Sequence, residues 1–141
     1  MTTPLFSKVL IANRGEIALR IARALADLGI ASLAVYAEDD AQSPHVRAAC
    51  SAVLLGATGP AAYLDGARLL AIARAHGCDA LHPGYGFLSE RADFAAACAE
   101  AGVRFIGPTP AQLALFGDKA QARALAQRCG VPLMPGTQHA V

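Results

Sequence analysis

Phe6 to Asn13 reads FSKVLIAN, a short apolar run rich in β-forming residues that leads into Gly15. That is the pattern of a buried parallel strand entering a turn. From Glu16 the period becomes helical: Ile17, Ile21, Leu25 and Leu28 recur at spacings of four, four and three, and Gly29 supplies the stop. Ala31 to Tyr36 is again short and apolar, and Glu38, Asp39, Asp40 and the Ser43-Pro44 pair break it. A third strand is predicted at Ala52 to Leu55. After the Gly56 to Pro60 turn, Leu64 to Ala75 is helical, Gly77 closes it, and Cys78 to His82 is a further compact strand. Ser89 is predicted to cap a helix running to about Ala101, with Asp93 at its positive end. Val103 to Ile106 reads as the fifth strand. Pro110 opens a short helix that Gly117 ends, Asp118 caps another to about Cys129, and Pro132 and Pro135 stop the pattern.

Strands alternating with helices predict βαβ units and right-handed crossovers, hence a Rossmann-like three-layer α/β/α domain with a mostly parallel sheet. In such sheets ligands lie beyond the carboxyl ends of the strands, which here means the turns near Asn13 to Glu16, Glu38 to Asp40 and His82 to Glu90. A chain of 141 residues suits one domain and is short for a complete two-substrate synthetase. Twelve Lys and Arg against eleven Asp and Glu give a net charge of +1, so there is no basic excess to grip nucleic acid or an anionic membrane. Alanine swells the 55% apolar fraction, and no run approaches the roughly 18 to 20 apolar residues of a membrane span. The opening MTTPLFSKVLIANRG lacks the pattern of a secretory signal, so the cytoplasm is the expected location. Cys50, Cys78, Cys98 and Cys129 are scattered without a CxxC pair, and neither a metal nor a disulfide is indicated; reduced core thiols are expected.

The first turn, ANRGEIA, has one glycine where a dinucleotide-binding turn needs three, and no P-loop is present. Glu38, at the end of strand two, is placed to hold a ribose hydroxyl, but Glu38, Asp39 and Asp40 together read as a solvated loop. Opposite the apolar stripe of the first helix, Glu16, Arg20, Arg23 and Asp27 make Glu16–Arg20 and Arg23–Asp27 pairs at i,i+4. The stripe is either a solvated face or, given the planar fork of arginine, a subunit contact. HPGYGFLSE, His82 to Glu90, joins a fixed φ at Pro83 to two permissive glycines and two aromatics. Such a loop either presents backbone N–H groups and a phenol to a small ligand or is a rigid turn with Phe87 and Leu88 packed inside. In GDK, Gly117 to Lys119, a lysine in the first helical turn is unfavourable unless an anion or an acid is near, which allows a phosphate ligand.

Five stretches together resemble the N-terminal domain of biotin carboxylase: Lys8 to Ala24 (KVLIANRGEIALRIARA), His82 to Glu90, Phe105 to Pro108 (FIGP), Gly117 to Lys119, and Gly130 to Gly136 (GVPLMPG). Carbamoyl-phosphate synthetase and other ATP-grasp ligases share the domain but usually lack NRGEIA together with HPGYGFLSE. The resemblance implies part of an enzyme that uses ATP and Mg2+ to activate bicarbonate and then carboxylates biotin on a carrier. Its partners would be the biotin carboxyl carrier and carboxyltransferase components, which choose among acceptors such as acetyl-CoA, propionyl-CoA, pyruvate or urea. Residues 1–136 would form the domain and 137–141 the start of a linker to an ATP-grasp domain. The metal-binding carboxylates, the bicarbonate base and the lid lysines would belong to that ATP-grasp domain, so the chain alone is expected to be inactive. By the same resemblance Lys119 contacts ATP, Tyr85 and Gly86 line the biotin pocket, and Arg20, Arg23 and Asp27 lie on the helix of a homodimer. Three departures stand out: Asp27 where glutamate is common, Arg91 where asparagine is usual, and Cys50-Ser51 where Asp-Glu is frequent. The alternatives are another ATP-grasp ligase or a binding or dimerisation module without chemistry.

Overall fold

The strands β1 (Lys8–Ile11), β2 (Ala31–Tyr36), β3 (Ser51–Leu54), β4 (Ala80–His82) and β5 (Arg104–Phe105) form one five-stranded, all-parallel sheet in the order β3-β2-β1-β4-β5. The computed structural model describes residues 5–134; Pro135 and Gly136 of the GVPLMPG stretch and the expected linker 137–141 lie outside the described residues. Lys8 pairs with Ala31 and Ile11 with Ala34 across β1 and β2, while Val9 pairs with Ala80 and Ile11 with His82 across β1 and β4. The chain therefore winds outward from β1 in both directions, and right-handed crossovers must then place helices on opposite faces.

The helices are α1 (Gly15–Asp27), α2 (Pro44–Ala48), α3 (Gly66–Ala75), α4 (Ala92–Glu100), α5 (Pro110–Gly117) and α6 (Lys119–Arg128). Alternation along β1 shows the three layers directly. Val9 and Ile11 pack with Ala18, Ile21, Ala22 and Leu25 of α1, whereas Leu10 and Ala12 belong to the core on the other face with Leu69 and Ile72 of α3 and Phe94 and Cys98 of α4. No described helix is long and apolar enough to cross a membrane.

Several expectations are corrected. The buried stripe of α1 contains Ala18 and Ala22 and omits Leu28, which is 65% exposed, because Leu28 is already the C-cap and has left the seam. Ser89 is not a cap. Its N–H bonds to Gly86 O and Arg91 N–H to Leu88 O, so turn hydrogen bonds continue to Arg91 and the helix starts only at Ala92. The helix expected from Leu64 is preceded by a 3-10 turn, Pro60–Leu64, and starts at Gly66, where Asp65 accepts from Arg68 N. The short α2 was not expected at all. Pro44 occupies its first turn, and His45, 1% exposed, anchors it with Nε2 3.2 Å from Val35 O. Of the four cysteines only Cys78 and Cys98 are buried; Cys50 and Cys129 are exposed, since one precedes the edge strand β3 and the other ends α6, which buries no residue of its own.

Candidate functional site

Because the sheet order reverses at β1, the turns leaving β1 and β4 open side by side at the switch point where ligands lie in this architecture. Asn13, only 2% exposed, ties them together. Its Nδ2 donates to Pro83 O at 2.7 Å and to Tyr85 O at 2.9 Å, while its Oδ1 accepts from Arg14 N at 2.8 Å. The two conspicuous motifs, some 70 residues apart, are thus one structural unit.

Gly84 fits against this amide with φ at 66°, and a Cβ there would lie 2.7 Å from Asn13 Nδ2. The Gly84 N–H in turn donates to His82 Nδ1 at 3.0 Å, which requires that nitrogen to be unprotonated. Burial lowers the His82 pKa in the same direction. A depressed histidine favours the fold above the unfolded value of about 6.5, and that contribution is lost as pH falls through the folded value. An NMR titration is expected to give a His82 midpoint below about 6.5, with the Gly84 amide moving at the same midpoint. A midpoint at or above that value would contradict the assigned hydrogen bond.

The far end of the loop is held by packing. Phe87 adopts φ 46°, unusual for a residue with a side chain, and its ring stacks tilted on Tyr63 with centroids 5.4 Å apart. Leu88 is buried beside it. The Tyr63 hydroxyl donates to Asp40 Oδ2 at 2.7 Å and accepts from Ala37 N at 3.0 Å. Arg14 Nη1 lies 3.3 Å from the same carboxylate, and the Arg14 guanidinium sits 5.8 Å from the Tyr63 ring centre. Burial, reinforced by the Asp40 hydrogen bond, pushes the Tyr63 phenol well above its ordinary range. Burial alone would raise Asp40, but the hydrogen bonds from Tyr63 and Arg14 outweigh it and hold the carboxyl low. Asp39 Oδ1 accepts from Gly59 N at 2.8 Å. The acids after β2 are therefore not simply a solvated loop: Glu38 is exposed, but Asp39 and Asp40 staple neighbouring turns.

On this fixed frame Tyr85 is 65% exposed and Gly86, φ 66°, faces open space. Neither the Tyr85 hydroxyl nor the Gly86 N–H has a hydrogen-bond partner among the described residues. A phenol and a backbone donor are thus presented together to solvent. Arg20 belongs to the same neighbourhood. Glu16 Oε1 accepts from Arg20 Nε at 2.9 Å and Nη2 at 2.7 Å, which raises the guanidinium pKa, and Tyr85, ionised in the alkaline range where an arginine titrates, adds a smaller push the same way. Arg23 and Asp27 are exposed on the next turns, but the expected i,i+4 pair between them is not formed among the described residues.

Lys119 is not part of this cluster. It opens α6, exposed, next to Asp118, whose Oδ1 accepts from Ala120 N at 2.9 Å and Gln121 N at 3.0 Å. Those bonds, that from Gln121 foremost, hold Asp118 low, so an acid answers the dipole at this lysine. They also engage two helix N–H donors, leaving Lys119 to meet an anion through its ammonium group. Arg91 pairs with Asp93, so the charge next to the loop is already matched. A cleft of about 380 Å3 lies between α4, β5 and the start of α5, lined by Ala95, Val103, Phe105, Gly107 and Thr109; it takes in the FIGP stretch but none of Arg20, Arg23, Asp27, Tyr85, Gly86 and Lys119. No three His, Cys, Asp or Glu side chains gather as a metal site among the described residues.

Sequence reasoning singled out Tyr85, Gly86 and Arg20, placed Asn13 and Arg14 in a ligand-facing turn without giving them a role, and missed Tyr63. Asn13 carries no local signal, because its partners lie across the sheet. Tyr63 is a lone aromatic in PAAYL, and its burial depends on the neighbouring loops.

Residues 5–113 match the family described as the biotin carboxylase N-terminal domain. Mitochondrial pyruvate carboxylase of Rattus norvegicus is 54% identical over 132 residues, covering 92% of this chain and 11% of that protein. The solved biotin carboxylase domain of a single-chain bacterial carboxylase superposes with a TM-score of 0.92 at 62% identity, over 98% of this chain and 31% of its own. The biotin carboxylase domain dimer of Hydrogenobacter thermophilus 2-oxoglutarate carboxylase, in complex with MgADP, ADP and bicarbonate, gives a TM-score of 0.92 at 43% identity, over 96% of this chain and 30% of its own. The chain thus spans less than a third of the relatives it matches here.

Proposed function

From the chain's membership of the biotin carboxylase N-terminal domain family, we propose that it serves as the N-terminal lobe of a biotin carboxylase, an ATP-dependent ligase that carboxylates carrier-bound biotin with bicarbonate. The observation that carries the reading is the turn cluster at the sheet's switch point. Asn13, Gly84 and Phe87 fix a loop from which Tyr85 and Gly86 offer a phenol and a backbone N–H to a ligand. Biotin's ureido carbonyl is an acceptor of the kind these two donors suit. Lys119 is proposed to contact ATP, a role that fits an exposed ammonium on a helix whose own donors Asp118 engages. Mg2+ would compensate phosphate charge in the reaction; no acidic cluster that could hold it forms among the described residues, and its ligands are proposed to lie in an ATP-grasp domain of the parent enzyme. The 2-oxoglutarate carboxylase domain was solved with MgADP and bicarbonate and as a dimer, which supports these cofactors and a homodimer; Arg20, Arg23 and Asp27 are proposed to lie at its interface. The carrier and carboxyltransferase components are the proposed partners. The acceptor is assigned to those components, because relatives bearing this domain are named for different acceptors.

The test uses a full-length biotin carboxylase carrying this chain as its N-terminal segment. Tyr85→Ala is expected to raise the KM for free biotin about tenfold, as the loss of one well-placed hydrogen bond predicts, with the KM for ATP little changed. Lys119→Ala should do the reverse. Both substitutions raising both constants alike would overturn the division of roles. Turnover indifferent to biotin in the unsubstituted enzyme would move the function to another ATP-grasp ligase.

A further inference from the structure

We propose that Asn13 is a positioning residue for the biotin-binding segment Tyr85–Gly86, an inference that rests on the biotin reading above and adds a residue to it. The amide of Asn13 is fully committed. Both N–H bonds are directed at carbonyls of the loop, Pro83 O at 2.7 Å and Tyr85 O at 2.9 Å, and the oxygen accepts from Arg14 N at 2.8 Å. The flipped amide would set its oxygen against two carbonyl oxygens, so only one orientation satisfies the site. Asn13 is 2% exposed and its bond to Pro83 O is buried, so water is a poor substitute partner there.

The second of these bonds holds the carbonyl that belongs to the same residue as the exposed phenol, and the peptide following it carries the Gly86 N–H. Rotating that peptide would turn the Gly86 N–H away, and losing the anchor at Tyr85 O would free the backbone from which the phenol projects. Gly84 leaves the amide no other place: it lies so close that a Cβ would come within 2.7 Å of Asn13 Nδ2. Asn13 itself does not need to touch biotin to set the direction of the groups that do.

The test compares Asn13→Asp and Asn13→Ser with the unsubstituted full-length enzyme, each also in a Tyr85→Ala background, using free biotin as probe. Asn13→Asp replaces a two-fold donor by an acceptor facing two carbonyls, and is expected to raise the biotin KM tenfold or more, while the ATP KM stays within about twofold. Asn13→Ser keeps one donor and should recover part of the loss; it also carries the comparison if Asn13→Asp fails to fold. In the Tyr85→Ala background the increment should shrink, because Asn13 acts through the segment already impaired. Equal shifts in both KM values, an unchanged biotin KM, or the same increment in both backgrounds would overturn the proposal. Absence of biotin stimulation in the unsubstituted enzyme would instead remove the reading on which it rests, and the proposal with it.

Discussion

Gly84→Val is expected to destabilise the domain by about 3 kcal/mol and to abolish stimulation of turnover by biotin. Two costs add. The φ of 66° lies in the left-handed region, which costs a residue with a Cβ about 1–2 kcal/mol and a β-branched one more. The new Cβ would also meet Asn13 Nδ2 at 2.7 Å and Ile17 Cγ1 at 3.1 Å, a clash of the overpacking kind that costs about 1–3 kcal/mol. Asn13 cannot yield, since moving it breaks the bonds to Pro83 O and Tyr85 O. Gly86→Ala is the control: its φ is the same, but nothing lies within 4 Å of the added carbon, so only the backbone term of about 1–2 kcal/mol should appear. Urea unfolding of the two variants separates these contributions, and equal losses would contradict the packing described at Gly84.

Tyr63→Phe is the second large effect, expected at about 2 kcal/mol although the ring is retained. The hydroxyl is the described partner of the Ala37 N–H, on a residue with no exposed surface, and it also donates to Asp40. Removing it leaves a buried donor unsatisfied, the costly side of the hydrogen-bond balance. Asp40 would lose one of the two hydrogen bonds that hold it low. A carboxyl whose folded pKa lies below the unfolded value of about 3.9 stabilises the protein above that value, and the contribution disappears as pH falls through the folded pKa. The difference in unfolding free energy between the unsubstituted protein and Tyr63→Phe should therefore narrow on acidification from neutral pH. A difference independent of pH would show that Tyr63 does not sustain the Asp40 charge. Since Tyr63 also stacks on Phe87, loosening it should spread to the far end of the Tyr85 loop.

The elements with strong local signals were legible in the sequence. β2 is found at Ala31–Tyr36 as expected, Pro110 opens α5, and Asp118 caps α6 through two backbone bonds. In each case the determining chemistry lies within a few residues. Expectations failed where distant residues decide. Ser89 has the right side chain for a cap, yet the loop's own turn bonds delay α4 to Ala92. Alanine, read mainly as swelling the composition, supplies Ala18 and Ala22 to the buried seam of α1. Arg23 and Asp27 have the spacing of an ion pair but remain solvated, in keeping with the small energy of such pairs on an exposed helix face.

The candidate site divides in the same way. The groups it exposes, Tyr85 and Gly86, stand in a conspicuous motif. The groups that hold it, Asn13, Arg14, Asp40 and Tyr63, are recruited from turns after three other strands and become a set only when the sheet forms. Asn13 reads in sequence as one more residue of a turn. In the structure it joins that turn to the ligand-facing loop.

The most direct test follows label from bicarbonate. A full-length biotin carboxylase carrying this chain as its N-terminal segment is supplied with labelled bicarbonate, MgATP and free biotin, and acid-labile label on biotin is measured beside released phosphate. Carboxybiotin that appears only with ATP and rises in step with phosphate is the predicted result. Phosphate released without label on biotin would contradict the assignment of this lobe to a biotin carboxylase.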